Sequence, residues 1–215
     1  MILHDYFRSS AAYRCRIAFN LKGIDPQRVH VHLTRDGGQQ RTRAYRALNP
    51  QALVPALEIG DGTVLTQSLA IIEWLDETHR QPPLLPDDPL ARARVRAFAQ
   101  VIACDIHPLQ NLRVLQYLRS EFGQDQAGVE RWCRRWLGEG LSACEALASR
   151  TPSARFCFGD APSLADICLV PQLFSADRFG VDLTAMPRLR AIRAACEALP
   201  AFAAAHPARQ PDAEA

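Results

Sequence analysis

Four prolines within nine residues, Gln81-Pro82-Pro83-Leu84-Leu85-Pro86-Asp87-Asp88-Pro89, divide the 215-residue chain into parts that obey different periodicities. Proline lacks the amide hydrogen a helix needs and pushes the preceding residue toward extended geometry, so no helix crosses this stretch. Before it, short strand-like runs take turns with helical ones; beyond it, apolar residues recur only at three- and four-residue steps. The expected organisation is an α/β domain over 1–80, a linker over 81–89 and an all-helical domain over 90–215, with a loose Ala/Pro-rich tail from Pro200.

In the first part, the apolar run Ile2 to Tyr6 reads as a strand that meets Ser9-Ser10 and turns into a helix. Cys15, Ala18 and Phe19 share one face of that helix, and Gly23 closes it. Val29, Val31 and Leu33 then alternate with His30 and His32, the period of a half-buried strand. Two strands joined through a helix favour parallel pairing. After a short helical stretch ending near Leu48, Ala56 to Ile59 and Thr63 to Thr66 flank Gly60-Asp61-Gly62 as an antiparallel hairpin. Gln67-Ser68 opens the apolar helix that contains Ile71, Ile72 and Leu75. The order β-α-β-α-β-β-α is the thioredoxin-like one.

The second part is expected to begin with a long helical stretch from Leu90 to Leu118, carrying Val95, Phe98, Ile102, Ile106 and Leu109 and kinked at Pro108. Val129 to Ser149 follows, with Trp132, Trp136, Leu137, Leu141 and Leu147 on its apolar face. Ser163-Leu164-Ala165-Asp166 has the spacing of a capping box, in which hydroxyl and carboxylate each satisfy a backbone N–H; it precedes the apolar run Ile167 to Leu173. Asp166 is therefore read as structural. A last helix spans Pro187 to Leu199.

Charge excludes some functions. Net charge is +2, with 10 Lys+Arg against 8 Asp+Glu up to residue 80 and 15 against 15 after it, so neither part carries the basic stripe of a nucleic-acid binder. The seven cysteines form no C-x-x-C pair and no metal-ligand spacing, and His30 and His32 lack a third ligand, so no metal is expected. Cysteines at apolar positions suit a reducing compartment. With no charged leader and no apolar run of about 18 residues, a cytoplasmic protein with no membrane association is expected.

Three places have chemistry to offer. Where the first strand becomes a helix, unpaired N–H groups and the positive end of the helix dipole converge, and Ser9 or Ser10 either caps the helix or donates to an anion. Ser68 faces the same two readings at the next apolar helix. At Val54-Pro55 a cis bond would turn the Val54 N–H and C=O outward, available to an extended peptide as an added strand.

A thioredoxin-like half, a proline linker and an all-helical half together resemble the soluble glutathione transferases. Phe7-Arg8-Ser9-Ser10-Ala11-Ala12-Tyr13-Arg14-Cys15-Arg16-Ile17-Ala18 is similar to the zeta-class signature S-S-C-x-W-R-V-R-I-A, with Ala11 in place of the cysteine and Tyr13 in place of the tryptophan. Asn49-Pro50-Gln51, Leu53-Val54-Pro55-Ala56-Leu57, Gln67-Ser68-Leu69, Pro108-Leu109-Gln110-Asn111-Leu112 and Leu164-Ala165-Asp166 fall in that family's order. The zeta class contains the maleylacetoacetate isomerases and the bacterial maleylpyruvate isomerases. Cys104-Asp105-Ile106-His107-Pro108 and Ser175-Ala176-Asp177-Arg178-Phe179 look more like the maleylpyruvate branch.

The resemblance implies glutathione as cofactor, its cysteinyl backbone along Val54-Pro55, its γ-glutamyl carboxylate at Gln67 and Ser68, its glycyl end at Gln51, and its thiol lowered in pKa by Ser9, with Ser10 beside it. His107 and Asn111 are further candidates to reach it. An isomerase of this kind adds the thiolate to a cis-enoyl diacid, lets the new single bond rotate and expels the thiolate. Arg8, Arg113 and Arg178 are then the implied donors to the carboxylates of a small dicarboxylate substrate. The competing readings are a transferase or dehalogenase acting on small α-halo acids, and a binding protein without chemistry. Helical halves of this kind commonly form two-fold homodimers, and one is expected.

Overall fold

The computed structural model describes residues 1–151 and 153–214, and the chain divides into two compact units. One is 1–84 together with the segment from Leu199 onward; the other is Leu85–Ala198.

In the first unit β1 (Ile2–Asp5), α1 (Ser10–Lys22), β2 (Gln27–His30), α2 (Arg43–Leu48), β3 (Ala56–Glu58), β4 (Val64–Thr66) and α3 (Ser68–Thr78) follow the expected order. The sheet runs β2-β1-β3-β4, with β2 parallel to β1 and the other pairs antiparallel. Leu3 sits opposite Leu57 in the register of β1 and β3, and both are fully buried. Helix α1 is buried from Ala12 to Phe19 and ends at Gly23, whose φ of 66° suits a residue without a Cβ.

The second strand is shorter than its apolar alternation suggests. It ends at His30, with Val29 37% exposed and Val31 4%. The chain then turns on His32, whose Nδ1 accepts the N–H groups of Thr34 and Arg35 at 3.3 and 2.8 Å. Those side-chain bonds replace ladder bonds, and the alternation loses its phase.

In the second unit α4 (Pro89–Gln100) passes into a π-helical turn (Val101–Ile106) and a 3-10 turn (His107–Gln110) before α5 (Leu112–Ser120). The kink expected at Pro108 is thus a change of helix type spread over ten residues, and the Trp132 indole N–H donates to the Leu109 carbonyl at 2.6 Å. Helices α6 (Gln126–Ala148), α7 (Leu164–Arg178) and α8 (Pro187–Glu197) complete this unit. The capping box is present: Asp166 accepts the N–H and hydroxyl of Ser163 at 2.8 and 2.9 Å and, beyond the motif, the N–H of Cys157 at 2.9 Å.

The tail is not loose. Residues Pro200–Ala205 form α9, which buries Phe202 and Ala205, and Asn20 and Arg16 of α1 donate to the carbonyls of Ala201 and Ala205 at 2.8 and 3.1 Å. The alanines that suggested a featureless tail have good helix propensity, and their small side chains suit close approach to α1. All seven cysteines are free thiols, six of them buried and Cys104 exposed. Among the described residues no helix is long and apolar enough to cross a membrane.

Candidate active site

The turn that leaves β1 is held before α1 begins. The Ser9 N–H donates to the Tyr6 carbonyl at 3.0 Å, and Ser9 caps α1, its Oγ accepting the Ala12 N–H at 3.2 Å. An oxygen that accepts this bond still has its own proton to give. Arg16, fully buried, donates to the Asp5 carboxylate at 2.7 Å and to the carbonyls of Tyr6 and Phe7 at 3.3 and 2.8 Å. Burial lowers its pKa and the Asp5 charge opposes that shift, so the cation survives as the hub of the turn. Arg8 stands exposed beside Ser9, its guanidinium 5.5 Å over the Phe7 ring.

The stretch before β3 is fastened at Leu53. The Tyr45 hydroxyl and the Asn49 amide both donate to the Leu53 carbonyl, at 2.8 and 2.7 Å, and the Asn49 side-chain oxygen accepts the Gln51 N–H at 3.1 Å. Burial raises the Tyr45 pKa, which keeps its hydroxyl a neutral donor. Val54-Pro55 is cis, and among the described residues neither the N–H nor the C=O of Val54 has a hydrogen-bond partner. The Val54 side chain packs in one cluster with Tyr6, Phe7, Val31 and Tyr45, which sets this edge beside the Ser9 turn.

Helix α3 begins with strain. Gln67 takes φ 69° and ψ 116°, a conformation that costs a non-glycine residue of order 1–3 kcal/mol, and makes no side-chain cap. Its amide instead donates to the Gln51 side chain at 2.8 Å. Ser68, the first helical residue, is buried, and Arg14 donates from Nη1 to its hydroxyl at 3.2 Å. Arg14 is itself 2% exposed, and its Nε and Nη2 have no partner among the described residues. A buried cation with donors to spare, a hydroxyl and a helix N-terminus make a setting that fits a carboxylate.

Arg8, Ser9, Ser10, Gln51, Val54, Pro55, Gln67 and Ser68 all lie in the first unit. The other candidates belong to the second. His107 opens the 3-10 turn, Asn111 caps α5 by accepting the Arg113 N–H at 3.2 Å, Arg113 is exposed, and Arg178 lies exposed at the end of α7, 5.2 Å over the Phe179 ring. Sequence reasoning missed Arg14, Arg16, Tyr45 and Asn49. A signal was present in the two arginines inside an otherwise apolar helix, where a charge persists only if it is bonded.

Residues 8–78 match the family described as "Glutathione S-transferase, N-terminal domain" and residues 126–204 its C-terminal domain. A maleylacetoacetate isomerase of Pseudomonas aeruginosa is 52% identical over all of both chains. The chain belongs to the glutathione S-transferase family. Among solved relatives of this transferase, a maleyl pyruvate isomerase described as a bacterial zeta-class glutathione S-transferase superposes with a TM-score of 0.96 at 50% identity, covering both chains fully. A maleylacetoacetate isomerase of Methylobacterium extorquens AM1, solved with malonate and glutathione, gives 0.95 at 44% identity, again over the whole of both. Against the zeta signature, this transferase has Tyr13 for the tryptophan; Tyr13 is 2% exposed and its ring lies 5.2 Å from the Arg16 guanidinium, so the aromatic position supports the hub of the turn.

Proposed function

We propose that this glutathione S-transferase is a glutathione-dependent isomerase that converts maleylpyruvate to fumarylpyruvate. The observation that carries the reading is Ser9 at the N-cap of α1, its oxygen occupied by the Ala12 N–H and its proton therefore available to a thiolate. Ser9 holds that thiolate with the help of the α1 dipole, and Ser10 follows it as the first helical residue. Val54 offers its N–H and C=O to the cysteinyl backbone, Gln67 and Ser68 hold the γ-glutamyl carboxylate, and Gln51 takes the glycyl end. Bound glutathione supplies the nucleophile that adds to the cis double bond and departs once the bond has rotated.

Arg8, Arg113 and Arg178 are assigned to the substrate's carboxylates, and His107 and Asn111 to glutathione. Arg8 also offers its charge where negative charge develops in the transition state. Maleylacetoacetate is the second reading, favoured by the 52% identity to an isomerase of that name. The two acids differ by one methylene, worth about 10–200-fold in discrimination. A cytoplasmic homodimer is part of the proposal, on the strength of the family resemblance and the free thiols.

The test is an ultraviolet assay of maleylpyruvate turnover with catalytic glutathione, for the wild type and Ser9→Ala. Isomerisation that leaves the thiol unconsumed and collapses in the variant supports the assignment. Consumption of glutathione with an α-halo acid, and none of either maleyl acid converted, replaces it with the dehalogenase.

A further inference from the structure

The segment after α9 returns to the turn that presents Ser9. The Asp212 carboxylate accepts the Phe7 N–H at 2.9 Å, two residues before Ser9. On the other side of the same residue, the Phe7 carbonyl is held by Arg16, which also holds the Ala205 carbonyl at the end of α9. Both polar backbone groups of Phe7 are thus tied, one directly and one through Arg16, to residues beyond Leu199.

The strap has its own anchors. Gln210 accepts from Arg28 at 2.7 Å and donates to the carbonyls of Ala204 and His206, both at 2.9 Å. Ala213 packs on the apolar cluster that contains Phe7 and Val54. The second Asp212 oxygen lies 3.3 Å from His30 Nδ1. A carboxylate bond to a backbone N–H is among the stronger hydrogen bonds, and this one is long in sequence, spanning 205 residues.

We propose that Asp212 is a positioning residue for the isomerase: by fixing the Phe7 peptide it sets the direction of the Ser9 hydroxyl and the first N–H groups of α1 toward the thiol. This rests on the assignment of Ser9 above. A misplacement of about 1 Å at such a group costs on the order of 100-fold in rate, so a partly loosened turn is expected to lose about tenfold. Asp212 touches neither glutathione's carboxylates nor its backbone in that assignment, and the loss falls on the thiol.

The experiment titrates the thiolate of bound glutathione by ultraviolet difference absorbance and measures kcat and the KM for glutathione, in the wild type, Asp212→Ala and Asp212→Asn. In Asp212→Ala the bound thiol pKa is expected to rise by about one unit and kcat to fall about tenfold, with the KM for glutathione within about twofold. Asp212→Asn keeps an oxygen that accepts the same N–H and is expected to restore most of both. An unchanged thiol pKa in Asp212→Ala overturns the proposal, as does a kcat loss that tracks only a lower melting temperature. A wild type that neither ionises bound glutathione nor isomerises a maleyl acid overturns the functional reading itself, and this proposal with it.

Discussion

Arg14 and Ser68, 54 residues apart, are joined by a 3.2 Å hydrogen bond from the guanidinium to the hydroxyl, with both side chains buried. Because the arginine donates, the serine's proton is directed elsewhere, toward whatever anion meets the N-terminus of α3. Arg14→Met, which keeps length and apolar stem, should therefore raise the KM for glutathione about tenfold while changing kcat little. Steady-state kinetics in both substrates separate the two, and an unchanged KM would confine Arg14 to the fold.

Arg8 is exposed, with Nη2 donating to the Tyr6 hydroxyl at a long 3.4 Å and its guanidinium 5.5 Å over the Phe7 ring. The fold does not depend on it. Arg8→Ala should lower kcat/KM for the maleyl acid more than tenfold and leave both the melting temperature and glutathione affinity near those of the wild type.

Asn49 fastens the Val54 edge through two bonds, to Leu53 and from Gln51, and is 2% exposed. Removing it leaves the Gln51 N–H without its partner and the Leu53 carbonyl with the Tyr45 hydroxyl alone. Asn49→Ala is expected to cost about 1–2 kcal/mol in a denaturant titration and to weaken glutathione binding as well.

Asp166 carries a pH signature. Burial outweighs its three donors and raises its pKa above the ordinary carboxylate value. A folded pKa above the unfolded one means that its contribution to stability is complete below the unfolded pKa and shrinks as pH rises through the folded value. The stability of the wild type relative to Asp166→Asn should accordingly fall as pH climbs from the acid range, measured as urea midpoints at several pH values. A relative stability that rises with pH would reverse the assignment.

The thiols give an independent check on packing. Burial pushes Cys133 to about 11 and Cys144 to about 12, and raises Cys157 and Cys196 as well. Only Cys104 is exposed among the seven. A disulfide reagent at pH 8 should titrate one fast thiol in the native protein and seven after unfolding, and the fast one should vanish in Cys104→Ser.

Much of this was legible in the sequence. The two periodicities read from the sequence correspond to the helices and strands on either side of residue 84. The Ser163/Asp166 spacing identified a capping box because that motif is local and its chemistry is self-contained. Ser9, Gln51, Val54, Gln67 and Ser68, candidates by family resemblance and helix-terminus physics, lie in the same unit of the fold. What stayed hidden was non-local. The bond from Arg14 to Ser68 and that from Phe7 to Asp212 join residues 54 and 205 positions apart, and no periodicity encodes such a pairing. The tail was misread for a related reason: a short alanine-rich helix has a weak pattern of its own and is ordered by docking on α1.

The first unit takes α9 from beyond the second, so it is discontinuous in the chain. Synthesis proceeds from the N-terminus, and everything from Leu85 to Ala198 leaves the ribosome before Pro200. Until then Arg16 lacks the Ala205 carbonyl and Phe7 lacks Asp212. Of the two units the sheet unit is begun first and completed second, and a nascent chain stalled before residue 199 carries a serine turn that has its local bonds and still lacks the anchors at Ala205 and Asp212.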